Sequence, residues 1–277
     1  MTTTLRPTEP LQSATDGTRS RRYQVCVNSR PVGRVHLATD PAPGARGPSV
    51  ARIHELRIEE PDRGRGRGTV AALAAEEVAR GWGCRQIEVT VPGAAAAALA
   101  LTRALGYVLR NRLMEKVLDG PVPVLPPGST DRPMTPDEYG IWDRAGRQQY
   151  AEDWIRRGVP EADALAKASR DFGGALPQGP ATSDMWLSVL EHEGVPVGDL
   201  WLGRRGGRAF VYDVGVRADR RGRGHGRTLM RLAEARATAA GLDRIALNVF
   251  AGNTPAERLY ASLGYDTTDY CLYKTLL

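Results

Sequence analysis

The chain has 277 residues, room for about two domains of ordinary size, and its 42% hydrophobic and 25% charged residues are typical of a globular protein. No apolar run approaches the roughly 18 residues of a membrane span, and residues 1–22 lack the apolar core of a secretory signal. Three cysteines without metal-ligand spacing favour a reducing cytoplasm, and the net charge of +6 comes from arginines interleaved with acids, so we expect neither a nucleic-acid nor a membrane partner.

The N-terminal half alternates strand and helix patterns after a polar lead. Residues 1–22, rich in Thr, Ser, Pro and Arg, are expected to be disordered. Residues 23–118 then form what we call the N-terminal copy. Its predicted elements are strands at 23–27, 33–39 and 51–59, a helix at 69–80, a strand at 86–91, a helix at 94–105 and a strand at 107–117. The Pro- and Gly-rich residues 119–133 are expected to be a linker.

Residues 134–277, the C-terminal copy, begin with a helical pattern over 135–172 that divides into two helices. The later predicted elements are strands at 186–190, 198–202 and 209–216, a helix at 227–240, a strand at 244–249, a helix at 254–263 and a strand at 270–276. The N-terminal copy reaches the hairpin turn at Pro31 after only 30 residues. It has no room for two leading helices and is therefore expected to be truncated.

A near-duplicate motif shows that the two copies are related. Arg63-Gly64-Arg65-Gly66-Arg67-Gly68 matches Arg221-Gly222-Arg223-Gly224-His225-Gly226 at an offset of 158 residues. The same offset joins Gly83 to Gly241, Ile87 to Ile245, Val91 to Val249 and Gly106 to Gly264. A register kept this long indicates a duplicated unit. Upstream the offset is 165, so the N-terminal copy carries seven additional residues, which we assign to the loop at 40–48.

Each Arg-Gly motif lies between a strand pattern and a helix pattern. Glycine lets backbone N–H groups approach a ligand closely, arginine supplies charge, and a helix N-terminus attracts anions, so both motifs predict phosphate binding. A dinucleotide fingerprint needs a different glycine spacing, and a Walker loop needs Gly-Lys-Ser/Thr. An RNA-binding Arg-Gly tract normally lies in disordered sequence. Glycines that merely end a strand are the remaining structural alternative.

The second of these motifs resembles a known family. Arg221-x-x-Gly224-x-Gly226 is similar to the acyl-CoA pyrophosphate loop of the GNAT superfamily of N-acetyltransferases. The segment from Asn253 to Tyr265, Asn-x-x-Ala-x-x-Leu-Tyr followed by Gly-Tyr, resembles the second half of the family signature. The resemblance covers most of residues 130–277 and part of 23–118. The tandem arrangement resembles actinobacterial two-domain acetyltransferases of the mycothiol-synthase-like type.

The resemblance implies a fold and a cosubstrate. The expected fold class is α/β (α+β), a tandem GNAT fold with a mixed, mostly antiparallel sheet flanked by helices. Acetyl-CoA is the implied cosubstrate, bound without metal between two splayed strands of the C-terminal copy. The residues implied to bind it are Val214 and Val216 through their backbone N–H groups, the loop residues Arg221, Gly222, Arg223, Gly224, His225 and Gly226, and Asn253.

Two side chains are candidates for proton transfer. The resemblance makes Tyr260 the general acid that protonates the departing thiolate, although its ring could equally serve to pack under the cosubstrate. Asp213, on the strand before the loop, is the candidate base for the amine, or else a surface carboxylate or a capping group. Asn253 is explained as well by helix capping. His192 is interpreted as a surface or loop residue, and the imidazole of His225 likewise.

The N-terminal copy departs from the pattern at the reacting positions. At the offset of 158, Thr102 replaces the tyrosine, Ala95 replaces the asparagine, and Glu55 aligns beside Asp213. Because threonine is far too weak an acid, we expect no catalysis here. The loop residues Arg63, Gly64, Arg65, Gly66, Arg67 and Gly68 nevertheless form a possible second CoA site.

These observations predict an N-acyltransferase that moves an acetyl or other acyl group from acetyl-CoA to a small-molecule amine by direct attack. Acids and aromatic residues in 135–172 favour a small cationic acceptor, although a solvated helix face would look the same. One alternative is a transferase that takes its acyl group from the pantetheine arm of an acyl carrier protein. Another is a non-catalytic acyl-CoA-binding or nucleic-acid-binding protein. The expected assembly is a monomer or homodimer.

Overall fold

The computed structural model describes residues 2–39, 50–156 and 159–276. The chain divides into two compact units that do not coincide with its two halves. Unit 1 contains residues 1–112 together with 268–277, and unit 2 contains residues 113–267. The seven residues assigned by sequence to the loop at 40–48 lie outside the described residues.

Unit 1 is a sheet with two helices. Its elements are β1 (Thr3–Pro7), β2 (Gln12–Ser13), β3 (Arg19–Val27), β4 (Arg30–Thr39), β5 (Val50–Ile58), α1 (Arg67–Gly81), β6 (Gln86–Pro92), α2 (Ala96–Ala104) and most of β13 (Asp266–Thr275). The strand order is β1-β3-β4-β5-β6-β13, and only β5 and β6 are parallel among the pairs from β1 to β13. Buried apolar residues from β3, β4 and α1 form its core, which also takes in Leu272 of β13.

Unit 2 has the same plan with two more helices. Its elements are the second half of β7 (Val108–Val117), then β8 (Ser129–Pro133), α3 (Pro136–Ile155), α4 (Glu161–Ala175), β9 (Met185–His192), β10 (Val195–Arg205), β11 (Arg208–Val216), α5 (His225–Ala239), β12 (Arg244–Phe250) and α6 (Thr254–Ser262). The strand order is β8-β9-β10-β11-β12-β7. The expected fold class, a mixed and mostly antiparallel sheet flanked by helices, is confirmed.

Local sequence explains why the helices of unit 2 begin and pack as they do. Thr135 and Glu138 form a reciprocal capping box at the start of α3, with distances of 3.3 and 2.9 Å. Helix α5 begins at His225, two residues earlier than predicted, and buries a stripe against β10 and β11. The stripe consists of Leu229, Met230, Leu232, Ala233 and Ala237, which recur at helical spacing.

The internal repeat holds in three dimensions. From β5 onward, every strand and α-helix of the N-terminal copy has the same bounds as its counterpart when 158 is added, as in α1 and α5 or β6 and β12. Residues 8–18, all described, contain no helix between β1 and β3, whereas α3 and α4 separate β8 from β9. The prediction of a truncated N-terminal copy is therefore confirmed.

The polar lead and the linker are corrected by the structure. The lead was expected to be disordered, but Thr3–Pro7 forms β1 and pairs with β3. The linker ends in β8, which pairs with β9 in the same way. Both are edge strands with one hydrogen-bonded neighbour and little buried surface, so they need few apolar residues. Thr3 opposite Val27 and Ser129 opposite His192 make β1 the counterpart of β8.

Each unit is completed by a strand from the other copy. β13, the last strand of the C-terminal copy, pairs with β6 from Asp269 to Thr275. β7, the last strand of the N-terminal copy, is the neighbour of β12 in unit 2. Lys274 of β13 reaches the buried Glu76 at 2.7 Å, and in unit 2 Lys116 of β7 reaches the buried Glu234 at 2.9 Å. The two ion pairs are related by the repeat offset of 158.

In the part of the chain that the structure describes, no helix is long and apolar enough to cross a membrane.

Candidate active site

The sheet of unit 2 opens at a β-bulge. Trp201 of β10 lies opposite Asp213, and the next residue, Leu202, lies opposite Val211, so Tyr212 is an extra residue on β11. On its other side β11 pairs with β12 only from Ala209 to Val211. Beyond the bulge the two parallel strands separate, which leaves a gap between residues 212–216 of β11 and the end of β12. Val214 and Val216, predicted to bind through their backbone, lie along this gap.

The Arg-Gly loop follows β11 and leads into α5. Gly222 and Gly224 have φ of +76° and +87°, a conformation that side chains strain. Gly224 is the N-cap of α5 and offers no side-chain cap. Among the backbone hydrogen bonds of the described residues, none uses the N–H groups of residues 222–226. Several free donors and the positive end of a helix therefore converge on one turn, which is the geometry of an anion site.

Two predicted cofactor-binding residues have structural partners. Nε of Arg221 donates to the carbonyl of Val216 at 3.2 Å and so closes the turn between strand and loop. Arg63 makes the same contact with Ile58 at 2.9 Å in unit 1. Oδ1 of Asn253 accepts from the Ala256 N–H at 3.4 Å, as a helix N-cap. The structure thus shows a loop-closing and a capping role for these side chains.

Tyr260 is buried in the last turn of α6, with 7% of its surface exposed. Burial raises the pKa of this phenol to about 12, and the negative charge of Asp213 adds to the rise. The two candidate catalytic side chains are therefore close enough to influence each other electrostatically. At neutral pH the phenol holds its proton and can act only as a donor.

Asp213 lies beside the bulge at the mouth of the gap. Solvent reaches this side chain, but surrounding protein removes much of its hydration, and this raises its pKa. The indole Nε1 of Trp142 donates to Oδ2 at 3.3 Å, and this bond and one from the Val214 N–H lower the pKa. Among the described residues, no cation lies within 4.0 Å of the Asp213 carboxylate. An elevated pKa and a missing counter-charge suit a group that accepts a proton.

Aromatic rings and a second carboxylate surround Asp213. Trp201 stacks on Tyr212 with centroids 4.6 Å apart and meets the edge of Trp142 at 5.5 Å. Asp199 lies two residues before Trp201 on β10. Burial raises the pKa of Asp199 against the charge of Arg217, and the charge of Asp213 raises it further. Trp201, Tyr212 and Asp199 were missed by the sequence analysis, because strand alternation alone does not tell a core face from a pocket wall.

Three of the acids on α3 are engaged in ion pairs. Glu138 pairs with Arg132 at 2.7 Å, Asp143 pairs with Arg147 at 2.8 Å, and Asp153 pairs with Arg156. These carboxylates are neutralised by arginines on the helices or on β8.

The loop of unit 1 has the same backbone but different electrostatics. Gly64 and Gly66 have φ of +69° and +71°. Asp62, 4% exposed, pairs with Arg67 at the start of α1 and with both terminal nitrogens of Arg30, at 3.0 and 2.7 Å. Its counterpart in unit 2 is Arg220. A buried carboxylate thus already neutralises Arg67 of this loop and the neighbouring Arg30.

The reacting positions of unit 1 are occupied as well. Oγ1 of Thr102 donates to the Leu99 carbonyl at 3.0 Å, and Glu55 pairs with Arg34 at 2.6 Å. Unit 1 also has a β-bulge, with His54 as the extra residue. His54 packs against His36, and these two residues correspond to Tyr212 and Trp201 of unit 2. Unit 1 therefore retains the scaffold of the gap without its proton donor.

His225, interpreted as a surface or loop residue, lies at the end of the Arg-Gly loop but is buried. Its ring is 8% exposed at the start of α5, 5.3 Å from that of His192 between centroids. Burial and the neighbouring His192, Arg223 and Arg220 lower its pKa. In the residues that the structure describes, no group of three or more His, Cys, Asp or Glu side chains is arranged to hold a metal ion.

Comparison with known proteins identifies the family. The model of the acetyltransferase (GNAT) family matches residues 3–107 and again 148–265. A mycothiol acetyltransferase of Cellulomonas flavigena is 31% identical over 235 residues, which are 80% of this chain and 66% of that protein. An uncharacterized N-acetyltransferase of Bacillus subtilis, YycN, is 30% identical over 152 residues, covering 52% of this chain and 96% of its own.

Solved structures share the fold at low identity. A GCN5-related N-acetyltransferase from Sphaerobacter thermophilus aligns with a TM-score of 0.57 at 21% identity, over 92% of this chain and 80% of its own. A tandem GNAT protein from the clavulanic acid biosynthesis pathway aligns with a TM-score of 0.51 at 20% identity, over 96% and 85%. With two family matches along one duplicated sequence, the chain belongs to the acetyltransferase (GNAT) family and is a tandem member of it, a transferase.

Proposed function

We propose that the protein transfers an acetyl or related acyl group from acetyl-CoA to a small-molecule amine, and that unit 2 carries out the reaction. The observation that carries the proposal is the meeting of three features at the open end of one strand. These are the loop of free N–H groups, the protonated Tyr260 and the unpaired Asp213. Unit 1 has the first feature alone, and there Asp62 lies beside it.

The donor half of the site fits a pantetheine thioester. The loop at 221–226 supplies backbone donors and a helix N-terminus for a diphosphate. Residues 212–216 have backbone groups on the β12 side without a strand partner, and these can bind the amides of the arm and polarise the thioester carbonyl. A carrier-protein arm has the same amides and thioester, so this part of the site accepts either donor.

The acceptor half fits an amine that arrives as a cation. Asp213 and Asp199 offer negative charge, and the half-buried Trp142, which rests on Trp201, offers aromatic surface. Asp213 then removes a proton, directly or through water, and the neutral amine attacks the thioester carbonyl. The C–S bond breaks, Tyr260 protonates the departing sulfur, and the second proton of the attacking nitrogen restores the phenol, directly or through water. No covalent bond to the enzyme is formed.

The two proton transfers help each other. The charge of Asp213 contributes to the raised pKa of Tyr260. Once Asp213 has taken the proton of the amine, this contribution vanishes and the phenol becomes a stronger acid. The acid is therefore strengthened at the stage when the thiolate leaves.

The test compares matched variants for thiol release from acetyl-CoA over a panel of amines. Tyr260→Phe and Asp213→Asn should each lower kcat by roughly 10²–10⁴-fold, the usual worth of a general acid or base. The affinity for CoA, measured by calorimetry, should stay within a few-fold. Thr102→Ala, at the equivalent position of unit 1, is the control and should change neither quantity.

Each alternative predicts a different result. If Tyr260→Phe turns over normally, the ring is a packing residue and another group protonates the sulfur. If acyl-phosphopantetheine on a carrier protein supports turnover and acetyl-CoA does not, the donor is the carrier arm. If no amine releases thiol but CoA binds, the protein is an acyl-CoA-binding protein.

A further inference from the structure

A cavity of about 230 Å³ lies in unit 2 on the β9 side of the α5 N-terminus. Its polar lining consists of two hydroxyls, two imidazoles and three guanidinium groups, from Ser129, Thr228, His192, His225, Arg223, Arg227 and Arg231. No carboxylate is among the residues that line it. Ser129 and His192 come from β8 and β9, and β10 separates these strands from the gap between β11 and β12. The cavity therefore adjoins the Arg-Gly loop but is not part of the gap.

The positive charge of this cavity is not compensated by the protein. Among the described residues, Arg223, Arg227 and Arg231 have no acidic partner within 4.0 Å, although most other arginines of unit 2 are in ion pairs. Arg227 and Arg231 are four residues apart and therefore lie on one face of α5. Nη2 of Arg227 is held by Oγ of Ser262 at 2.7 Å. Several unpaired cations around one concave surface give it a positive potential that attracts anions from outside the chain.

His225 gives independent evidence for a ligand. Only 8% of this residue is exposed, it lines the cavity, and its ring has no hydrogen-bond partner among the described residues. Its ring nitrogens are not among the buried side-chain atoms, so they are open to the cavity and free to bond to a ligand there. The neighbouring His192 is oriented by Ser129, whose Oγ lies 3.1 Å from Nδ1.

Unit 1 supplies an internal comparison. At the offset of 158, Arg227 and Arg231 correspond to Thr69 and Leu73, and Arg220 corresponds to the buried Asp62. At the offset of 165, His192 corresponds to Val27. The duplicated scaffold therefore does not require these cations, and their concentration in unit 2 is a property of this site.

We propose that this cavity binds a phosphomonoester, separate from the diphosphate that the loop backbone is proposed to hold. Three arginines and two imidazoles suit a compact dianion, whose three oxygens can accept from several donors at once. The phosphate comes either from the 3′-position of CoA, a reading that rests on the proposed function, or from a separate phosphorylated molecule.

The experiment compares Arg231→Leu, which introduces the residue found in unit 1, with Arg170→Leu, which removes an exposed charge of α4 far along the chain. Calorimetry measures binding of CoA and of 3′-dephospho-CoA. Thermal shift measures stabilisation by inorganic phosphate against chloride at equal ionic strength. Arg231→Gln, which keeps a polar helix surface, serves if the leucine variant is poorly folded.

We expect Arg231→Leu to weaken CoA binding about tenfold, the worth of one charge-assisted bond, and to leave 3′-dephospho-CoA unaffected. Arg170→Leu should change neither. If CoA and its dephospho form bind alike but stabilisation by phosphate is lost in Arg231→Leu, the site stands with a separate ligand. If phosphate stabilisation is lost in Arg231→Leu and the wild type does not bind CoA at all, the proposed function is rejected but the phosphate site is retained. If neither CoA nor phosphate responds to Arg231, the proposal is overturned.

Discussion

Opposing influences act on the Asp213 carboxylate. Loss of hydration raises its pKa, whereas the hydrogen bond from Trp142 lowers it by stabilising the charged form. Trp142→Phe removes that bond and keeps an aromatic ring. The pKa of Asp213 should therefore rise, and the acidic limb of the pH profile of kcat/KM should move to higher pH. The profile of Trp186→Phe, a tryptophan of β9, should match the wild type.

An unchanged acidic limb in Trp142→Phe would mean that Asp213 is not the group that must lose its proton. A general loss of activity without a shift of the limb would assign to Trp142 a packing role only.

At this scale the sequence predicts the reacting groups better than their surroundings. Tyr260 and Asp213 can be chosen because their positions follow from motifs and strand ends. The role of Asp62 cannot be predicted in this way. It depends on an ion pair with Arg30, which lies 32 positions earlier in the chain and reaches Asp62 only after folding. The burial of His225 was also missed, because a residue inside an Arg-Gly loop gives no periodic signal.

Matched glycine substitutions in the two Arg-Gly loops separate the effect of backbone strain from the effect on CoA binding. Gly224→Ala and Gly66→Ala each place a Cβ at a left-handed residue, φ +87° and +71°, with no atom within 4 Å of it. The strain should cost roughly 1–2 kcal/mol of unfolding free energy in both variants. Only Gly224→Ala should weaken CoA binding and lower turnover, as measured by calorimetry and thiol release.

The Gly66 variant is the matched control, since it carries the same strain in the same turn. Equal losses of CoA affinity in both variants would show that unit 1 holds a working CoA site despite Asp62.

Elements with an apolar face were predictable, and the edge strands were not. The strand before each loop and helices α1 and α5 have buried stripes, so periodicity finds them. β1 contains Thr3, Thr4 and Arg6, and the strand is held largely by backbone hydrogen bonds to β3. Its side chains therefore give almost no sequence pattern from which the strand could be predicted.

For the whole molecule, two lysines have a structural role. Lys116 and Lys274 are two of three lysines in a chain rich in arginine, and each neutralises a glutamate, Glu234 or Glu76, that is no more than 3% exposed. Lys116→Met would leave the Glu234 charge buried without a partner. We expect the free energy of unfolding of unit 2 to fall by about 3 kcal/mol, measured by urea denaturation.

The third lysine provides the control. Lys167 pairs with the exposed Asp171 at 2.9 Å, so Lys167→Met should cost less than about 1 kcal/mol. Adding Glu234→Gln to Lys116→Met removes the buried charge and should recover much of the loss. If Lys116→Met is as mild as Lys167→Met, the buried pair is not a significant source of stability.

The exchange of strands could not have been predicted. β7 and β13 have similar patterns and equal lengths, ten residues each, so either could complete either sheet. The repeat offset reports which residues are equivalent but not which copy a strand joins. Boundaries drawn from composition at 118 and 134 therefore differ from the compact units.

The place of β13 in the chain has a consequence for synthesis on the ribosome. Unit 1 needs Leu272 in its core and Lys274 beside Glu76, and both are translated after all of α5, β12 and α6. At 5–20 residues per second, the edge of β6 would wait roughly 10–40 s for its neighbour. During that interval β6 is an unpaired strand edge exposed to other chains. The nascent protein is thus most prone to aggregation late in translation, and chaperones that bind hydrophobic strands would act on it then.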